Sequence, residues 1–224
     1  MVTQRSYPVL WRRSTRARRL ALRIDPVARQ VIVTIPPSVS LRRAEAFLDA
    51  HDDWARTHLA ALPSPPSLMP GSRIWFDNRF VTLAHTPEHA QTARLNETHL
   101  SLNGPLPRFG NRAVLFLKHQ AGLILPAELA HEATRMACTV TRFACSAART
   151  RWGSCTKQGR IMLNWRLIMM PEAVRRYVMV HELAHLTHFD HSRAFWAMVD
   201  RHHPARKQAQ SWLKEHGTTL LTLG

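Results

Sequence analysis

Two histidines four residues apart, with a glutamate directly after the first, constrain this 224-residue chain more than any other feature. In His181-Glu182-Leu183-Ala184-His185 the spacing matches one turn of an α-helix. Each residue advances about 100°, so the two imidazoles stand one above the other on a single face. Rings placed in this way can both reach one Zn²⁺ at about 2.0–2.1 Å. Glu182, offset by one position, falls beside the ion, where its carboxylate can take a proton from water. With fourteen His and eight Glu in the chain, chance would supply this pattern only about 0.03 times. The context agrees with a buried helix: Pro171-Glu172 supplies a favourable first turn, and Val174, Tyr177, Val178 and Val180 make the approach apolar.

Three side chains compete for the third ligand position: His188, Asp190 and His191. On an unbroken helix His188 would lie about 10.5 Å along the axis from His181, too far for convergence on one ion. A break near Phe189-Asp190 would let the chain turn back and bring in His191, and Ser192 is a good N-cap for a helix carrying Ala194, Phe195, Met198 and Val199. The spacing therefore favours His191, with a still later residue as the alternative. His188 and Asp190 are then candidates for holding an imidazole tautomer.

The rest of the chain reads as an α+β protein. Leu20, Leu22 and Ile24 alternate as a half-buried strand, Asp25-Pro26 turns, and Gln30–Ile35 returns as its partner. Ser40 opens a helix bearing Leu41, Ala44, Phe47, Leu48 and Trp54. Pro63–Gly71 is a stiff linker. Ile74–Leu83 and Thr98–Leu102 read as short strands of an antiparallel sheet, the latter closed by Asn103-Gly104. A helix over about 111–137 should be kinked or interrupted at Pro126. Strand-like residues from Thr139, the RWGSC segment and Arg160–Asn164 form a hairpin region turning at Lys157–Gly159. Gly217 reads as the end of the last helix. These elements suggest one domain over 1–224, with a β-rich lobe at 1–106 and a helical lobe at 107–224.

No uninterrupted apolar run reaches membrane-spanning length, and no apolar leader is visible at the start, so a cytoplasmic protein without membrane contact is expected. Three cysteines without paired spacing point to reduced thiols. The net charge of +16 is the abnormal number. Ten Arg face three acids within residues 1–50, which makes nucleic acid or a nucleotide a candidate partner for a basic surface. The scattered histidines, among them His85, His89, His202 and His203, read as solvated surface residues.

The segment HELAHLTHFDHSRAFW, with RWGSC at 151–155 and I-x-L-N-W-R at 161–166, resembles the YgjP-like family of zincin-type metal hydrolases. The similarity extends to YPVLWRRSTRARRLALRIDP and VTIPP near the start and to PARKQAQSWLKEHG near the end, so it spans nearly the whole chain. The five-residue gap from His185 to His191 is similar to that of WLM and Wss-type proteases, and the hairpin before the helix to SprT-type proteases. His202-His203 departs from the family's more apolar pattern. The resemblance implies a zincin-like α+β core, one Zn²⁺ on His181, His185 and His191, and Glu182 as the catalytic base.

Arg151 to Cys155 would then be the strand bordering the cleft, pairing with an extended substrate. Arg151 is a candidate fork for a carboxylate or phosphate, Ser154 a donor to a developing oxyanion, and Trp152 either a substrate contact or core packing. The implied activity is zinc-dependent cleavage of a peptide or protein substrate. A metal-dependent nucleotide pyrophosphatase on the same site is the alternative, and a nucleic-acid-associated protease or binding protein a further one.

Overall fold

The computed structural model describes residues 5–62, 64, 66–86 and 93–224. Two prolines of the linker, Pro63 and Pro65, and His89 lie outside them. The chain divides into two compact units, Met1–Ser64 and Pro65–Gly224. The division falls at the proline-rich stretch rather than at 106/107. The reason is packing: Ile74, Phe76, Val81, Leu83, Leu100 and Leu102 from the strands share one core with Leu117 and Leu125 of the long helix that follows.

The first unit is a three-stranded sheet covered on one face by two helices. Its strands are β1 (Val9–Arg13), β2 (Ala21–Asp25) and β3 (Gln30–Ile35), in the order β1-β3-β2. The expected β2–β3 pair is present and antiparallel, with Leu22 opposite Val33 and Ile24 opposite Val31. β1, which has no clear alternation of its own, runs parallel to β3. Period-two alternation sends Val31, Val33 and Ile35 to one face, against Ala44, Leu48 and Ala55. The single helix expected after Ser40 is two, α1 (Leu41–Asp49) and α2 (Asp52–Ala60). Ser40 Oγ accepts from Arg43 N at 3.3 Å, as an N-cap does. Asp52 and Asp53 begin α2 at its positive dipole end, and Trp54 is partly exposed rather than core.

In the second unit β4 (Arg73–Phe76), β5 (Arg79–Thr86), β6 (Ala93–Leu95) and β7 (His99–Asn103) form a sheet in the order β4-β5-β7-β6. Asp77 and Asn78, at φ 42° and 63°, make the tight β4–β5 turn. The sheet is mixed, not antiparallel, because β5 and β7 pair in parallel while β6 takes the edge.

Helix α3 (Phe109–Arg135) passes through Pro126 without a break. The carbonyl that a proline would leave unpaired belongs to Gly122, which is exposed and can turn to solvent. Phe109, Ala113, Leu117, Ala121, Leu125 and Leu129 recur every four residues as a fully buried stripe. Burying each of its leucines is worth about 2 kcal/mol. By length and composition alone Leu106–Arg135 is also apolar enough to cross a membrane, which a search for uninterrupted runs overlooks because Arg112, Lys118 and Glu128 punctuate it. The buried stripe makes it the core helix of this unit.

The remaining elements frame the HExxH helix. They are β8 (Arg142–Ser146), β9 (Gly153–Cys155), β10 (Arg160–Asn164), α4 (Glu172–Ala184), α5 (Arg193–His202) and α6 (Arg206–Leu221). The sheet order is β8-β10-β9, with β8 parallel and β9 antiparallel to β10, so β9 is an edge strand. Its hairpin turns at Thr156–Gly159, where Gly159 adopts φ 80°.

Side chains from the β4–β5 turn and α3 hold α4. Asn78 Oδ1 accepts from Glu172 N at 2.7 Å, an N-cap supplied from a distant turn. The buried Arg175 pairs with Asp77 and with Glu128, and Glu132 with Arg135 and Arg176. His203 is buried rather than solvated. Its Nε2 donates to Ala173 O at 2.8 Å, pinning the end of α5 to the start of α4.

Candidate metal centre

α4 ends sooner than the spacing suggests, at Ala184, and His185 is its C-cap, still in helical conformation at φ −66°, ψ −17°. The chain then closes a turn, with His188 N donating to Ala184 O at 2.9 Å, and reverses through Phe189-Asp190. Asp190 Oδ1 accepts from Ser192 N at 3.2 Å, and Ser192 Oγ from Phe195 N at 3.4 Å. These two bonds tighten the bend and start α5, which leaves His191 facing back to α4. Asp190 therefore shapes the bend instead of touching an imidazole.

The reversal brings three rings together. Centroid separations are 5.0 Å for His181–His185, 5.2 Å for His181–His191 and 4.8 Å for His185–His191. One nitrogen from each lies within 4.8 Å of the others, and Nε2 of His181 is 3.4 Å from Nε2 of His191. Two imidazole nitrogens on a tetrahedral Zn²⁺ at 2.0–2.1 Å would stand about 3.4 Å apart. The donor set thus fits a zinc ion in both chemistry and spacing. His188 takes part through its main chain, its carbonyl accepting from His185 Nδ1 at 3.0 Å, which leaves the lone pair of His185 on Nε2.

Phe195, fully buried, forms the floor, with its ring 4.7–5.1 Å from all three imidazoles. Burial drives His181 down to about 4, with the two neighbouring rings adding to the effect, and it also lowers His185. Neutral rings are the form that binds metal. His191 is exposed, so the cluster opens to solvent on its side.

Glu182 leaves α4 on the side of β9. Its carboxylate is buried, and burial raises it to about 7 against the opposing pull of Arg151. It rests on Gly153, where a Cβ would come within 2.6 Å of Glu182 Cγ and Oε1. Glycine at 153 is thus the space that the carboxylate occupies. Sequence reasoning did not find this relation, since only the paired strand and helix disclose it.

The other residues of the RWGSC segment divide in their placement. Arg151 is exposed. The indole of Trp152 lies against α6, where a Cβ on Gly217 would meet it at 3.3 Å. Gly217 therefore does not end the helix but lets the indole approach mid-helix. Ser154 Oγ is buried and has no hydrogen-bond partner among the described residues. Cys155 is pushed up to about 11 by burial, with Glu182 and Cys138 adding, which is far from a nucleophilic thiolate. The fully buried Asn164 holds this segment in place. Its Nδ2 donates to Ala148 O at 2.7 Å and Arg151 O at 3.0 Å, and its N to Trp152 O at 2.8 Å, fixing the approach to β9. An amide at the end of the apolar strand RIMLN was the signal available for it.

No curated protein matches the chain. The crystal structure of the metallopeptidase zymogen abylysin of Pyrococcus abyssi aligns at 22% identity over 41% of this chain and 94% of its own, with a TM-score of 0.37. The family model for the YgjP-like metallopeptidase domain matches residues 18–216, nearly the full length, and the chain belongs to that family.

Proposed function

We propose that this protein is a zinc-dependent peptidase in which His181, His185 and His191 hold one Zn²⁺ and Glu182 is the general base. The observation that carries the proposal is the convergence of three imidazole nitrogens beside a buried carboxylate raised to about 7. When bound, the ion polarises the scissile carbonyl and acidifies water. Glu182 accepts the proton of the attacking water on a carboxylate oxygen. A carboxyl group poised near neutrality can then return that proton to the departing amine. Gly153 keeps the carboxylate at its station, and Phe195 keeps water off the inner side of the rings.

The outer edge of β9 pairs with no strand among the described residues, so its main chain can take an extended peptide by strand addition. Arg151 offers its guanidinium to a substrate carboxylate, and the main-chain groups of Gly153 and Cys155, which point away from β10, meet the substrate while Ser154 pairs with Met162 of β10. The indole of Trp152, seated on α6, steadies the strand. Three imidazoles favour Zn²⁺ over the Mg²⁺ usual for phosphoanhydrides, which supports peptide over nucleotide as substrate.

The test is metal analysis of the purified protein beside cleavage of an unstructured protein such as casein. About one zinc per chain, with cleavage abolished in Glu182→Gln but zinc retained, is the expected result. Undiminished cleavage by Glu182→Gln would overturn the mechanism, and release of pyrophosphate from nucleoside triphosphates without cleavage would overturn the substrate.

A further inference from the structure

The first unit carries eleven Arg and no Lys, and its charges are sorted in space. Among its acids, Asp49 pairs with Arg5, Asp52 pairs with Arg56 and accepts from Tyr7, and Asp25 caps its own turn through Val27 N and Ala28 N. Most of the negative charge is thereby committed to local partners.

The loop joining β1 to β2 has no such compensation. It is held against the end of β3, with Ser14 N donating to Ile35 O at 3.0 Å and Ala17 N to Ser14 O at 3.1 Å. Arg13 Nη1 donates to Val39 O at 3.5 Å, tying the same end to the approach of α1. Arg16, Arg18 and Arg19 project from this loop, exposed and without an ion pair among the described residues. Arg12 lies beside them on the outer face of the sheet, and Arg42 and Arg43 occupy the first turn of α1.

The placement of the last two matters. A helix N-terminus is the positive end of the macrodipole, and α1 has two cations and no acid in its first turn. The nearest acid, Glu45, is one turn further along and makes no ion pair among the described residues. Such an arrangement costs stability unless an anion sits over it.

We infer that this end of the first unit is a binding surface for the phosphate backbone of nucleic acid. Guanidinium forks match phosphate oxygens in a bidentate manner, which a lysine surface would not do. Tyr7 and Trp11 pack into the core of the unit, so the surface lacks a platform for stacking bases and reads backbone rather than sequence. An anionic membrane fits less well, because the large apolar side chains exposed near this end among the described residues are Leu10 and Leu41, on separate elements and too little to insert. The surface is independent of whether the metal centre cleaves peptides.

The test uses the full chain with fluorescein-labelled random 20-mers, as duplex DNA and as single-stranded RNA, read by anisotropy between 50 and 200 mM salt. Four to six phosphate contacts predict a log–log slope of roughly −3.6 to −5.4 on the duplex, a loss of affinity of at least about 100-fold over that range, and roughly −2.8 to −4.2 on the single strand. Replacing Arg16, Arg18 and Arg19 together by Gln should flatten the slope by about 2.7 on the duplex or about 2.1 on the single strand and weaken binding at least tenfold, with an unchanged melting curve. Arg18→Gln alone, flattening it by about 0.9 on the duplex, serves if the triple variant unfolds. Replacing the exposed pair Arg142 and Arg160 of β8 and β10 by Gln controls for net charge and should change little. Binding of either nucleic acid with its expected slope supports the surface and says which it prefers. An equal loss in the control pair, a salt-insensitive signal, or capture by phosphatidylserine vesicles without nucleic-acid binding would overturn it.

Discussion

The two units each gather nitrogen bases, and they do so by opposite means. At the metal centre three imidazoles crowd to centroid separations near 5 Å over a buried phenyl ring, and burial holds His181 at about 4 and lowers His185. Rings that shed their protons can converge, and converged lone pairs attract a cation. At the basic end of the first unit the groups are guanidiniums, which keep their charge at any ordinary pH. They stay exposed and spread over a loop, a strand and a helix start, and together they suit an extended anion. A net charge of +16 does not distinguish these two uses of nitrogen; burial does.

The largest effect that could break this contrast is the loss of one ring. His181→Ala should remove stoichiometric zinc and lower casein cleavage by on the order of 10³ or more, since the ion supplies several kcal/mol to the transition state. Nucleic-acid binding, measured on the same preparation, should not change. A parallel fall in both would mean that the two surfaces are one.

Burial as the organising force at the metal centre can be read from the pH dependence of the metal-free protein. Glu182 is raised from 4.5 to about 7, so its contribution to stability is fully present below pH 4.5 and is lost as pH rises through 7. His181 is depressed from 6.5 to about 4, so its contribution is present above 6.5 and is lost as pH falls through 4. Glu182→Gln in the chelated protein should therefore be more stable than the parent at pH 8, by up to about 3 kcal/mol, with the gain gone below pH 4.5. Thermal melts across pH 4–8 check this, and a variant less stable at pH 8 would mean that burial does not set the carboxyl's behaviour. Stability held back in this way is what the proposed role of Glu182 as a base near neutrality would require.

A smaller effect tests the geometry alone. Gly153→Ala places a methyl within 2.6 Å of the Glu182 carboxylate, and the strand pairing leaves the carboxylate as the group that must move. Turnover should fall about tenfold to a hundredfold with zinc content unchanged, the usual cost of displacing a reacting group by about 1 Å. Equal turnover would mean that Glu182 does not work from its present position.

How much of this could be read from the sequence follows from the range of the forces involved. The HExxH register, the Ser192 cap and the return of His191 rest on contacts within about ten residues, and local spacing was enough to expect them. Gly217 and Pro126 are misread when judged only by the local habits of glycine and proline. Gly153 and Gly217 instead answer to Glu182 and to the indole of Trp152, and Pro126 to an exposed carbonyl one turn back. The same holds for β1 and the parallel β5–β7 pair, whose partners are supplied by tertiary pairing. The Asn78 cap on α4 spans 94 residues, and no local pattern announces it.

The smallest predicted change separates exposed charge from buried polarity most cleanly. Arg16→Gln removes one guanidinium that touches no partner among the described residues, so the melting curve should stay where it is. The salt slope of duplex DNA binding should nonetheless flatten by about 0.9, the share of one phosphate contact. In the second unit the equivalent swap at Arg166 removes donors to Leu223 O and Gly224 O from a fully buried site, and should cost about 3 kcal/mol without altering that slope. Paired melts and salt titrations of the two variants read both quantities. If Arg16→Gln lowers the melting temperature or leaves the slope intact, the loop arginines serve the fold, and the sorting of charge in the first unit has some other cause.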